Sequence, residues 1–234
     1  GPQAVYWTKR VEETIAVQDS EMVFVGYGIV APEYDWNDYA DVDVVGKTVV
    51  MLVNDPGYAT GDETLFNGKR MTYYGRWTYK FEEAARQGAP AAILVHETGA
   101  AGYPWSVVTG SWNGTQLDLE SADGNASRGA LVGGIRADAA ARIFAAAGED
   151  FNALSRASVT SDRRSRALPL TFSTSIENTF ERSQSANVVA MLPGEVEDET
   201  VAFSAHWDHL GTGDNGDADG IYNGAVDNAT GTAA

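Results

Sequence analysis

Apolar residues fall into short blocks separated by glycine, proline and acidic residues, a pattern that predicts more strands than helices. Residues 1–20, GPQAVYWTKRVEETIAVQDS, read as one or two short strands with no turn chemistry of their own, an expected lead-in from something earlier. From Glu21 to about Val53, EMVFVGYGIVAP and GKTVVMLVNDP are β-rich and end at Pro32 and Pro56. The aromatic loop EYDWNDYADVDVV joins them. In RWTYKFEEAARQGAPAAILVH, Trp77, Phe81, Ala84 and Ala85 recur at helical spacing, Gly88 supplies a C-terminal cap, and Ala91–Val95 is an apolar strand. A second helix is expected over Asp138–Ala147, with Asp138 as N-cap and Gly148 as stop. The intervening GYPWSVVTGSWNGTQLDLESADGNASRG is polar and glycine-rich, and a loop is expected there. The basic, turn-forming SDRRSRALP around Ser161–Pro169 marks the expected domain boundary. After it, SANVVAMLPG and ETVAFSAHWDH read as two strands around the acidic turn EVEDE.

Composition narrows the function classes. At 234 residues the chain has room for one large domain or two, and no apolar run is long enough to span a membrane. A net charge of -17 argues against a nucleic-acid partner, because phosphate neutralisation needs clustered Lys and Arg. With no cysteine, any metal must be held by histidine and carboxylates.

The chemistry concentrates in SAHWDHLGTGDNGDADGIYNGAVDNATGTAA, from Ser204 onward. On a strand, His206 and Asp208 share one face while Trp207 and His209 take the other. An imidazole beside a carboxylate suits a metal ligand and the group that orients it. Asp227 leaves a small-residue turn at a helix start, and the polar residues begin where the apolar TVAFSA strand ends, the end at which open α/β sheets bind ligands.

Other motifs are weaker. Asn215, Asp217, Asp219 and Gly220 match the start of a calcium loop, but its twelfth position is Val226, leaving at most a looser Ca2+ site from Asp214, Asp217 and Asp219. DVVGKTVV lacks the first glycine of a phosphate loop, having Asp41 there, and G-x-S-x-G is absent. His96 at the end of its strand reads as structural, and Tyr73, Tyr74, Trp77 and Tyr79 as packing residues.

SAHWDHLG followed by NGAVDNATGTAA, with His206 and Asp227 twenty-one residues apart, resembles the co-catalytic zinc aminopeptidases of the aminopeptidase Y and glutamate carboxypeptidase family. VFVGYGIVAPEYDWNDYADVDVVGKTVVMLVNDP and MTYYGRWTYKFEEAARQGAPAAILVHE resemble the protease-associated domain that many secreted bacterial members carry. The resemblance implies an α/β and α+β chain. Residues 1–20 form a lead-in belonging to the peptidase domain, 21–162 a β-rich protease-associated domain, and 163–234 the truncated start of a zinc-peptidase α/β/α sandwich with a mixed sheet. It implies two Zn2+ per complete site, with His206 a ligand of one, Asp227 bridging both, Asp208 orienting the His206 ring, and Asn228 following Asp227 across a cis peptide.

The implied activity is aminopeptidase hydrolysis of peptides by a zinc-activated water in a secreted or periplasmic enzyme. The alternatives are a glutamate-carboxypeptidase-like enzyme and a non-catalytic protease-associated module that binds a peptide or partner protein. The family takes its general base and remaining ligands from later positions, so the chain as it stands is expected to be a fragment that binds zinc weakly and is inactive. Three N-x-S/T sequons, at Asn113, Asn125 and Asn228, matter only in a glycosylating host.

Overall fold

The computed structural model describes residues 2–112, 114–160, 165–196, 198–213 and 219–233. The chain divides into two compact units, Gly1–Arg182 and Ser183–Ala234.

In the first unit the strands are β1 (Ala4–Trp7), β2 (Thr14–Phe24), β3 (Val30–Ala31), β4 (Trp36–Asn37), β5 (Thr48–Leu52), β6 (Ala91–His96), β7 (Leu131–Arg136) and β8 (Arg166–Glu177). The helices are α1 (Pro56–Thr60), α2 (Trp77–Arg86), α3 (Thr98–Ala101), α4 (Trp105–Trp112), α5 (Ala137–Ala146) and α6 (Phe151–Ala157). Six strands form one mixed sheet in the order β1-β7-β6-β5-β2-β8. Its inner strands β7, β6, β5 and β2 are parallel, and the edge strands β1 and β8 run antiparallel to their neighbours. Alternate residues of β5 enter different cores. Val49 and Met51 pack with Phe81, Ala84 and Val108, whereas Val50 and Leu52 pack with Phe144, Phe151 and Phe66. Burial on both faces explains why these strands read as continuous apolar runs. The unit is a mixed α/β fold.

Several elements depart from the sequence reading. Asp138 lies in the first turn of α5 and pairs with Arg136, the actual N-cap residue, at 2.9 Å. The stretch expected to be a loop, from Gly102 onward, contains α4, and α3 stands immediately before it. Their apolar positions seat Ala100, Ala101 and Val108 in the core, with Trp105 and Trp112 packed against it. Helix α6 starts at an N-cap, Asp150, whose carboxylate accepts from the backbone N–H groups of Asn152 and Ala153. Residues 166–177 pair along β2, so the division between units falls after Arg182. Of the expected boundary segment, Ser161–Arg164 lie outside the described residues.

Pro169 sits inside β8 because the register slips there: Met22 faces Leu168 while Glu21 faces Thr171, leaving Pro169 and Leu170 as a bulge where no ladder donor is needed. β7 carries the opposite irregularity. Gly133 faces Tyr6 of β1, and a Cβ there would meet the Val5 carbonyl oxygen at 2.5 Å and the Tyr6 ring. Gly133→Ala is expected to cost about 1–3 kcal/mol by pushing β1 off the sheet edge. A lowered urea midpoint would register it, and an unchanged midpoint would mean the edge yields freely.

The second unit differs most from expectation. Neither SANVVAMLPG nor ETVAFSAHWDH forms a strand among the described residues. A strand needs a ladder partner and a buried face. Val188, Leu192 and Phe203 have neither, being more than nine-tenths exposed. What is ordered is local. Thr212 and Ile221 form an antiparallel bridge, and an irregular helical turn over Ala225–Ala229 leads into α7 (Thr230–Ala233). No described helix is long and apolar enough to cross a membrane.

Candidate metal centre

His206 and Asp227 come together although no strand carries the histidine. Two contacts fix the approach. The Thr232 hydroxyl donates to the His206 carbonyl at 3.1 Å, tying the histidine segment to α7. Gly224 adopts a left-handed conformation, with φ of 58°, and a Cβ there would meet His209 at 2.8 Å and the Asp227 carbonyl oxygen at 2.7 Å. The small residues of NGAVDNATGTAA therefore serve close approach. Gly231 likewise lies against Asn228, whose side-chain oxygen accepts from the Gly231 N–H at 3.2 Å. The peptide bond between Asp227 and Asn228 is cis.

The resulting geometry places His206 Nε2 3.0 Å from Asp227 Oδ1. On the other side of the ring, Nδ1 lies 2.8 Å from the backbone carbonyl oxygen of Asp208 and 3.5 Å from its carboxylate. The closer partner of Nδ1 is thus the Asp208 main chain, not the carboxylate that the resemblance assigns to this task. Both ring nitrogens thus face oxygen acceptors. The bond to the Asp208 carbonyl, helped by the charges of Asp227 and Asp208, outweighs partial desolvation and holds the imidazole pKa above its ordinary value. With Nδ1–H committed to a carbonyl, a metal that replaces the Nε2 proton meets a lone pair aimed at Asp227, the donor geometry zinc takes from histidine and carboxylate. His206, Asp208 and Asp227 are all at least half exposed, so the pair is open to solvent. An open depression of about 340 Å3 is lined by Trp207, Asp208, His209, Gly224, Asn228 and Thr232.

Among the described residues no group of three or more His, Asp or Glu side chains is arranged to hold an ion. Of the calcium candidates, Asp214 and Asp217 lie outside the described residues. Asp219 accepts from the Ile221 N–H at 2.9 Å, closing a local turn. His96 is buried beside Tyr103 and Trp105, its pKa lowered by desolvation, and its Nε2 has no hydrogen-bond partner among the described residues. Tyr79 is core, while Tyr73 is largely exposed. The role of His209 as a packing surface for Gly224 had no signal in the sequence reading.

Residues 187–234 match the family described as Peptidase family M28. No curated protein matches the chain. Among solved structures it is similar to "Aminopeptidase from Aneurinibacillus sp. strain AM-1", with 16% identity and a TM-score of 0.31 over 75% of this chain and 30% of that one. The chain therefore spans less than a third of that protein's length.

Proposed function

We propose that this chain contributes two ligands to the two-zinc centre of an M28-type exopeptidase, an aminopeptidase that removes N-terminal residues from peptides. The observation that carries the reading is the convergence of His206 Nε2 and Asp227 Oδ1 to 3.0 Å within the stretch that matches Peptidase family M28. The donor set fits zinc, since an imidazole nitrogen with its other nitrogen already engaged and an exposed carboxylate are both zinc ligands. Zinc, when bound, polarises the scissile carbonyl and lowers the pKa of a bound water.

The residues divide the remaining work. His206 and Asp227 would hold zinc, and the Asp208 carbonyl keeps the ring from turning. Asn228 ties Asp227 to the start of α7 through Gly231, which keeps the carboxylate presented. Zinc sites use at least three protein ligands, so residues outside those described complete the set. A protease-associated domain over 21–162 and a secreted or periplasmic location belong to the same proposal.

A native mass spectrum of the protein as its natural source produces it is expected to show two zinc ions. The zinc-loaded protein is expected to cleave leucine p-nitroanilide in preference to an acetylated peptide ending in glutamate. The reverse preference would reassign the chain to a carboxypeptidase, and a zinc-free protein inactive on both substrates would sink the reading.

A further inference from the structure

Within the first unit, a depression of about 320 Å3 lies among α2, the segment after β1 and the segment before β7. That volume is at the lower end for small-ligand sites. Its lining combines apolar Trp77, Phe81, Ala85 and Val132 with the charged Lys9, Arg128 and Glu82. Both cations converge on one oxygen, Oδ2 of Asp118, with Lys9 Nζ at 3.3 Å and Arg128 Nη1 at 3.0 Å. Lys9 Nζ also lies 6.0 Å from the centre of the Trp77 ring. Arg86 lines the same depression, but its guanidinium is committed to the buried Glu83 at 2.7 Å.

The backbone that carries the two cations is anchored by side chains from elsewhere. Arg10 Nε donates to the Arg128 carbonyl at 2.9 Å, and the Asn125 side-chain amide donates to the Lys9 carbonyl at 2.9 Å. The carboxylate between the two cations, by contrast, is carried on a segment whose flanking residues, Leu117 and Leu119, are 86% and 85% exposed. In a chain of net charge -17, Lys9 and Arg128 share a single carboxylate beside aromatic side chains, which leaves one positive charge of that trio uncompensated.

We propose that this depression binds a carboxylate carried on an apolar body, the chemistry of a peptide's C-terminal residue or of a small aromatic acid. The ligand's carboxylate takes the place of Asp118 between Lys9 and Arg128, and its apolar part lies on Trp77 and Phe81. The inference is independent of the exopeptidase reading.

Titration calorimetry with N-acetylphenylalanine tests it. Saturable binding that weakens with salt is expected, and N-acetylphenylalanine amide, which lacks the charge, is expected to bind at least about tenfold more weakly. Lys9→Met and Arg128→Gln should each weaken the acid by about tenfold. Asp118→Asn, which frees both cations, should strengthen it. Melting temperatures of the three variants separate lost binding from lost folding. A longer peptide ending in phenylalanine that binds more tightly than the single residue identifies peptide C-termini as the ligand, and equal affinity identifies small acids. Indifference to the amide substitution, unchanged affinity in Arg128→Gln, weaker binding in Asp118→Asn or no binding at all would overturn the proposal.

Discussion

Asp227→Ala, made in the protein as its natural host expresses it, is expected to abolish zinc binding at the paired site and peptidase activity together. The carboxylate is one of two candidate ligands and stands 3.0 Å from the other, so its removal leaves His206 as a single donor. One imidazole is too few for a stable zinc site. The loss should exceed the ~10–100-fold that removing a group behind a ligand costs. Asp208→Asn supplies that comparison. Its backbone carbonyl, the 2.8 Å partner of Nδ1, survives the substitution, so a loss of at most about tenfold is expected. Metal content and the hydrolysis rate of leucine p-nitroanilide, measured on both variants, give the answer. Full zinc and full activity in Asp227→Ala would remove the site from this part of the chain.

Lys80→Met is expected to destabilise the first unit by about 3–5 kcal/mol, with a cost that grows with pH. Lys80 is fully buried on α2, and its ammonium donates to the Tyr27 carbonyl at 2.5 Å. Asp38 and Asp55, both buried, favour its charge, but desolvation is larger and brings its pKa down to about 7. Removing the lysine takes the donor from the buried Tyr27 carbonyl and, below about pH 7, also the positive charge beside Asp38 and Asp55.

The pH dependence comes from proton counts. Between about pH 7 and the ordinary lysine value of 10.5, the unfolded chain holds a proton on Lys80 that the folded chain does not. Stability therefore rises with pH across that window and is lost again as pH falls through about 7. Methionine removes the gradient. Near pH 10 the buried phenols of Tyr27 and Tyr39 begin to act in the opposite sense. Desolvation raises their pKa values, so the folded chain keeps protons that the unfolded chain gives up. Urea midpoints of both proteins at several pH values check this. A cost that is flat with pH would mean the lysine keeps one protonation state throughout.

Elements with strong local signals were legible. Helix α2 stood out because Trp77, Phe81 and Ala84 repeat at its period and face the core, and β6 because it is apolar on both faces. Strands β7 and β8 were missed for a shared reason. Gly133, Gly134 and Pro169 contradict strand propensity, and each is accommodated by a neighbour: β1 closing on Gly133, or a bulge absorbing Pro169. The opposite error occurred over Val188–Phe203, where alternation suggests strands but the described residues offer no ladder to join.

For the candidate site, residue types and spacing were enough to single out His206, Asp208 and Asp227, because metal chemistry restricts the ligands to a few side chains. They could not reveal that the Asp208 main chain holds the ring, or that His209 packs on Gly224, since such contacts depend on backbone angles. Composition alone settled the net negative charge and the absence of thiolate ligands. The pairing of Lys9 with Arg128 around Asp118, and the burial of Lys80 between two carboxylates, belong to the tertiary structure alone. They join residues far apart in the chain, and charges meet at such distances only when the packing of the sheet and its helices brings them together.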